Sequence, residues 1–108
     1  MKRDDDVYVL DIIDSIEIII GYTEGKSELD FETNMMLQDA VYRRLEIIGE
    51  ASTKVSGEYK DQHPEIEWRL MKLMRNKLIH EYFGISSSTV YATVTQDLPA
   101  LLFKLKSI

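Results

Sequence analysis

Apolar residues recur at three- and four-residue steps along most of this chain. That spacing fits one stripe of a helix and not the two-residue period of a half-buried strand, so it constrains the fold more than any other feature. From Asp4 to Ile20, residues Val9, Ile12, Ile13, Ile16, Ile19 and Ile20 fall on one such stripe. Their β-branching favours strands. The length of the run, with Asp11, Asp14 and Glu17 on the opposite face, decides for helix. Asp4, Asp5 and Asp6 suit the positive end of its macrodipole and read as a solvated helix start.

Gly21 to Ser27 forms a polar turn. A second helix is predicted from about Asp30 to Val55, capped by Asp30 or Ser27, with Leu37, Val41, Leu45, Ile48 and Val55 as its buried stripe. Gly49 lies in its interior, where glycine costs about 1 kcal/mol relative to alanine, so close helix packing or a local bend must compensate. Gly57 to His63 reads as a loop. Pro64 precedes a third helix from Glu65 to about Tyr82, with Gly84 as its C-terminal cap. Ser86 to Thr89 offer N-caps for a last helix through Lys104, with the stripe Val90, Val94, Leu98, Leu101 and Leu105. Pro99 falls inside that stripe and predicts a kink or a break. The expectation is all-α: a compact antiparallel bundle of four to five helices forming one domain over residues 1–108.

Composition limits what such a bundle can do. There is no cysteine, which removes disulfides, zinc–thiolate sites and thiol nucleophiles and fits a reducing cytoplasm. The acids after Met1 interrupt any signal-peptide pattern, and no apolar run approaches the ~20 residues that span a bilayer. The chain is therefore read as soluble and cytoplasmic. A net charge of −6 argues against a nucleic-acid partner. Its distribution softens that objection: ten acids and three bases fall in residues 1–34, five and four in 35–64, and four and six in 65–108. The C-terminal part is mildly basic within an acidic whole.

The stretch from Trp68 to Gly84 carries the chemistry. At ~100° per residue, Arg75 comes near Tyr82 and Asn76 near His80, which gives two adjacent polar rows. Arg75 also lies one turn after Met71 and one turn before Ile79, so it borders an apolar stripe and needs a partner there. A structural reading is available. Arg75 and His80 complement the carbonyl end of the helix, and Tyr82 packs its ring. Arg75 and His80 point ~140° apart on an ideal helix, so one chain does not easily converge both on a single phosphate. An isologous pair of chains could.

The run Arg75-Asn76-Lys77-Leu78-Ile79-His80-Glu81-Tyr82 resembles the Arg, four residues, His, one residue, Tyr signature of HepT-like HEPN proteins. These are the toxin half of HEPN/nucleotidyltransferase toxin–antitoxin pairs. The resemblance extends to Tyr42-Arg43-Arg44-Leu45-Glu46-Ile47-Ile48-Gly49-Glu50-Ala51, to Pro64-Glu65-Ile66-Glu67-Trp68 and to Asp97-Leu98-Pro99, in the family's order. It implies a HEPN-like homodimer whose two motifs meet across the interface as one metal-independent, RNA-cleaving site without a cofactor. Arg75 and His80 would be catalytic. The arginine's permanent bidentate charge would stabilise the phosphorane, and the histidine, with a pKa near neutrality, would move protons. Asn76 would fix the imidazole or bind the phosphate. Tyr82 would receive AMP from the partner nucleotidyltransferase antitoxin, placing bulk and negative charge beside the site and neutralising the toxin.

Lys72 and Lys77 are candidate RNA contacts, and so are Arg43 and Arg44, which could equally pair with surface acids. His63 reads as a solvated polar residue, since no second His or Cys lies at metal-ligand spacing. Trp68 and the methionines fit core packing or a dimer face better than a cofactor site. Two other functions compete with the nuclease: a non-catalytic HEPN module that binds a nucleotidyltransferase or a nucleotide, and a purely structural bundle, which leaves the polar rows unexplained.

Overall fold

The computed structural model of the protein describes the backbone of residues 4–80 and 86–108, and the side chains of all of these except 77–80. Asp4 caps the first helix, α1 (Asp5–Thr23), by accepting the Asp6 N–H at 3.2 Å. Asp5 is not merely solvated. Its carboxylate accepts the Ser56 N–H at 2.8 Å and the Ser56 hydroxyl at 2.7 Å, which ties the start of α1 to the end of the next long helix.

The expected single helix from Asp30 to Val55 is two, α2 (Glu28–Thr33) and α3 (Met35–Lys54). Asn34 causes the break. It leaves helical geometry at φ −114° and ψ 94°, closes α2 through its backbone N–H and caps α3 by accepting the Leu37 N–H on its side chain at 3.0 Å. Both proposed cap residues of the second segment are used, in a reciprocal capping box. Ser27 Oγ accepts the Asp30 N–H, and the Asp30 carboxylate accepts the Ser27 N–H.

The stretch expected as a loop holds one short helix, α4 (Gly57–Gln62), because the Ser56 hydroxyl satisfies the Tyr59 N–H. The motif helix α5 (Trp68–His80) starts three residues later than Glu65. The indole N–H of Trp68 donates to the His63 carbonyl at 3.0 Å and pins that start. The predicted extension to Tyr82 and the Gly84 cap lie outside the described residues. The last segment runs as α6 (Ser87–Ala92), a π-helical turn (Thr93–Asp97) and α7 (Leu98–Lys106). Pro99, which lacks the N–H that an α-helical interior requires, sits in the first turn of α7 just past the widened turn.

The predicted stripes meet in one core. Ile12, Ile16 and Ile19 of α1, Val41, Leu45 and Ile48 of α3, Met71 of α5, and Val94, Leu98 and Leu105 of the last segment are all buried. α3 is the central rod, packed mainly on α1 and α5, while α7 packs on α1. No strand occurs among the described residues, and no described helix is long and apolar enough to cross a membrane.

Candidate active site

Arg75 leaves α5 where that helix packs tightly on Gly49 of α3. A Cβ built on Gly49 would overlap the Cβ of Arg75 and stand 2.9 Å from the Met71 carbonyl oxygen. Close packing, not a bend, therefore explains the interior glycine. The bare Cα of Gly49 is what lets α5 lie so near.

The guanidinium finds the partner that its position demands on α3. Glu50 Oε2 lies 3.2 Å from Arg75 Nε, and Arg75 Nη1 donates to Asn76 Oδ1 at 3.4 Å. The Nε atom is buried and its N–H has no aligned acceptor, so charge holds the Glu50 pair more than a directed hydrogen bond does. The Arg75 side chain is 27% exposed and that of Glu50 57%, which leaves the pair at the surface of a groove.

That groove runs along the outer face of α3 and has a volume of about 520 Å³, within the range of small-ligand clefts. Tyr8 and Asp11 of α1 form one wall and Arg75 the other. Between them α3 contributes Arg43, Glu46, Glu50 and Lys54 around the apolar floor of Ile47 and Ala51. Three cations and three carboxylates thus share the opening, and its local balance is far less acidic than the whole chain.

The structure brings together some of the sequence candidates and not others. Arg75, Asn76 and Arg43 gather at or beside the groove. Arg43 also pairs with Glu46 at 3.6 Å, the surface-acid pairing that was one of its two expected roles. Arg44 is half-buried and is not among the residues lining the groove. Lys72 is exposed and close enough to Lys60 to depress its pKa, an effect second to burial of Lys60 and opposed by Asp5. Tyr82 lies outside the described residues, as do the side chains of Lys77 and His80. His63 is not free in solvent: its ring packs 4.6 Å from that of Tyr59, and Nδ1 lies 3.6 Å from Glu65 Oε1. Met71 and Met74 serve the core, whereas Met35 and Met36 are exposed. Among the described residues no three His, Cys, Asp or Glu side chains are grouped to hold a metal ion.

Glu50, Gly49 and the α1 wall of the groove were missed as parts of a site. A glycine followed by an acid in the middle of a long helix was the signal available for the first two. Tyr8 and Asp11 gave none, since they are set by packing between distant segments.

Comparison with known proteins returned a family model described as "Ribonuclease HepT-like", which matches residues 12–108. The chain is 44% identical over 108 residues to a Thermococcus cleftensis protein named "Probable ribonuclease HepT", covering 100% of this chain and 98% of the relative. It is 37% identical over 100 residues to "Putative RNase MJ1380" of Methanocaldococcus jannaschii, covering 93% of this chain and 92% of the relative. A longer protein of that organism, "Gamma-glutamylcyclotransferase and putative RNase MJ0434", is 42% identical over 101 residues, which make up 94% of this chain and 46% of the relative. No solved structure matches.

Proposed function

The chain belongs to the HepT-like ribonuclease family, and from that premise we propose that it is a metal-independent endoribonuclease, the toxin of a toxin–antitoxin pair of type II or type VII kind. The observation that carries this reading is Arg75. It is a guanidinium whose root is packed against Gly49 and whose head lies at the rim of an open groove, inside the Arg-to-His signature of the family.

The RNA ribose 2′-hydroxyl attacks the adjacent phosphorus, the P–O5′ bond breaks, and the products are a 2′,3′-cyclic phosphate and a 5′-hydroxyl. His80 takes the 2′ proton or supplies one to the leaving oxygen, and Arg75 stabilises the charge on the pentacoordinate phosphorus oxygens. Asn76, which accepts from Arg75 Nη1, steadies the guanidinium. The divergent directions of positions 75 and 80 on one helix support a composite site in a homodimer, where the histidine of one chain serves the arginine of the other. A cognate nucleotidyltransferase antitoxin silences this site by transferring AMP from ATP to the Tyr82 hydroxyl: the Tyr82 oxygen bonds to the α-phosphorus, the α–β phosphoanhydride bond breaks, and pyrophosphate and the hydroxyl proton leave.

Cleavage of single-stranded RNA in EDTA, with the product ends identified by mass, tests the reaction. The parent is expected to cut and leave a cyclic phosphate. His80→Ala is expected to lose about 10²–10⁴-fold in rate while keeping its helical content. Loss of cleavage in chelator that magnesium restores would sink the metal-independent reading. Co-expression with the nucleotidyltransferase tests the rest: the parent gains the mass of AMP and Tyr82→Phe does not.

A further inference from the structure

We infer that Glu50 is the positioning residue for Arg75, holding the guanidinium by its Nε side so that its Nη groups serve the ligand. The inference rests on reading Arg75 as the phosphate-binding group of the nuclease.

A guanidinium carries five N–H donors in a planar fork and offers a phosphate one of two edges: Nε with one Nη, or the two Nη groups together. Glu50 Oε2 stands 3.2 Å from Nε, and Asn76 Oδ1 takes one Nη1 proton at 3.4 Å. The Nε atom is buried beside Glu50 with no aligned acceptor for its N–H, so that edge is closed to a ligand by burial and held by charge. Nη2 and the second Nη1 proton remain as the donors for a ligand in the groove that Arg75 and Glu50 both line. The other end of the side chain is fixed as well, because the Arg75 Cβ lies against the Gly49 Cα. Two consecutive residues of α3 therefore set the root and the tip of an arginine that α5 carries.

Glu50 is more than half exposed, and ion pairs that open to water contribute little to folding. A carboxylate at that position also repels an incoming phosphate, so it does not serve affinity. What it supplies is direction, which matters for the rate because small misplacements of a reacting group cost about 10²-fold.

The test compares steady-state RNA cleavage by the full chain and by Glu50→Gln, Glu50→Asp, Arg75→Ala and the double variant Glu50→Gln/Arg75→Ala. Glu50→Gln is expected to lower kcat about 10- to 100-fold, with KM unchanged or lowered and Tm unchanged. Glu50→Asp, which keeps the charge on a shorter arm, should recover part of that loss. The double variant should be no slower than Arg75→Ala, since two residues acting through one group do not add. Parental kcat in Glu50→Gln while Arg75→Ala is inactive would overturn this inference alone, as would the same proportional loss in both backgrounds. Parental activity in Arg75→Ala, or a parent that does not cut RNA, would overturn the nuclease reading and this inference with it. Should Glu50→Gln fail to fold, Glu50→Ala against Glu50→Asp decides: a faster Asp variant supports positioning by charge, and equal rates refute it.

Discussion

At the scale of the residue, Gly49 and Arg75 form a pair in which a missing side chain matters as much as a present one. Alanine at position 49 would gain about 1 kcal/mol of helix propensity. Its Cβ would overlap the Arg75 Cβ and press on the Met71 carbonyl, backbone that cannot yield by rotating a side chain. Overpacking of this kind costs about 1–3 kcal/mol, so the strain outweighs the gain. Gly49→Ala is therefore expected to lower Tm by several degrees and to slow RNA cleavage by displacing the arginine. Thermal melts followed by circular dichroism, with rates measured well below the melt, check both. A rise in Tm would mean that α5 can shift away at no cost.

At the scale of the element, caps decide where helices begin and end. The α2 capping box makes one of them sensitive to pH. The Ser27 backbone N–H, then its hydroxyl, hold the Asp30 carboxyl below its ordinary value of 3.8, against a small opposing effect of burial. A depressed folded pKa means that this contribution is complete above the ordinary carboxylate pKa and is lost as the pH falls through the lower folded value. The difference in Tm between the parent and Asp30→Ala should accordingly be present at neutral pH and close as the pH drops below 3.8. An NMR titration of the Ser27 amide in the folded protein should have its midpoint below 3.8. A gap that persists in strong acid would remove the box as its cause. The last segment shows a different solution to a local conflict: Pro99 cannot sit in an uninterrupted α-helix, and the π-turn at 93–97 lets Val94, Leu98 and Leu105 stay buried regardless.

At the scale of the molecule, a bundle with a Cα radius of gyration of 13.8 Å leaves several large apolar side chains in water, among them Met35, Met36 and Phe103, each at least 75% exposed. Such exposure, with the divergent motif directions, leads to the expectation that the protein self-associates. Static light scattering across a wide concentration range should give twice the chain mass of 12.6 kDa. A monomer at micromolar concentration with full RNase activity would remove the composite site.

The helical class and most of the core were legible in the sequence, although the fully buried Phe31 lies on none of the predicted stripes. Apolar spacing reports which face of a helix is buried whatever it packs against, and so the stripes of α1, α3 and the last segment were legible. Arg75 was legible as a residue in need of a partner, since a cation beside an apolar stripe is costly alone. Its partner was not. Glu50 lies 25 positions away on another helix, and only the packing of α5 on α3, permitted by Gly49, brings the two within 3.2 Å. The break at Asn34 was hidden for a related reason: a residue that can cap one helix and close another looks, in sequence, like any polar position on a long helix. The tertiary structure alone decided the groove, because its walls come from α1, α3 and α5 and no local pattern encodes which helices become neighbours.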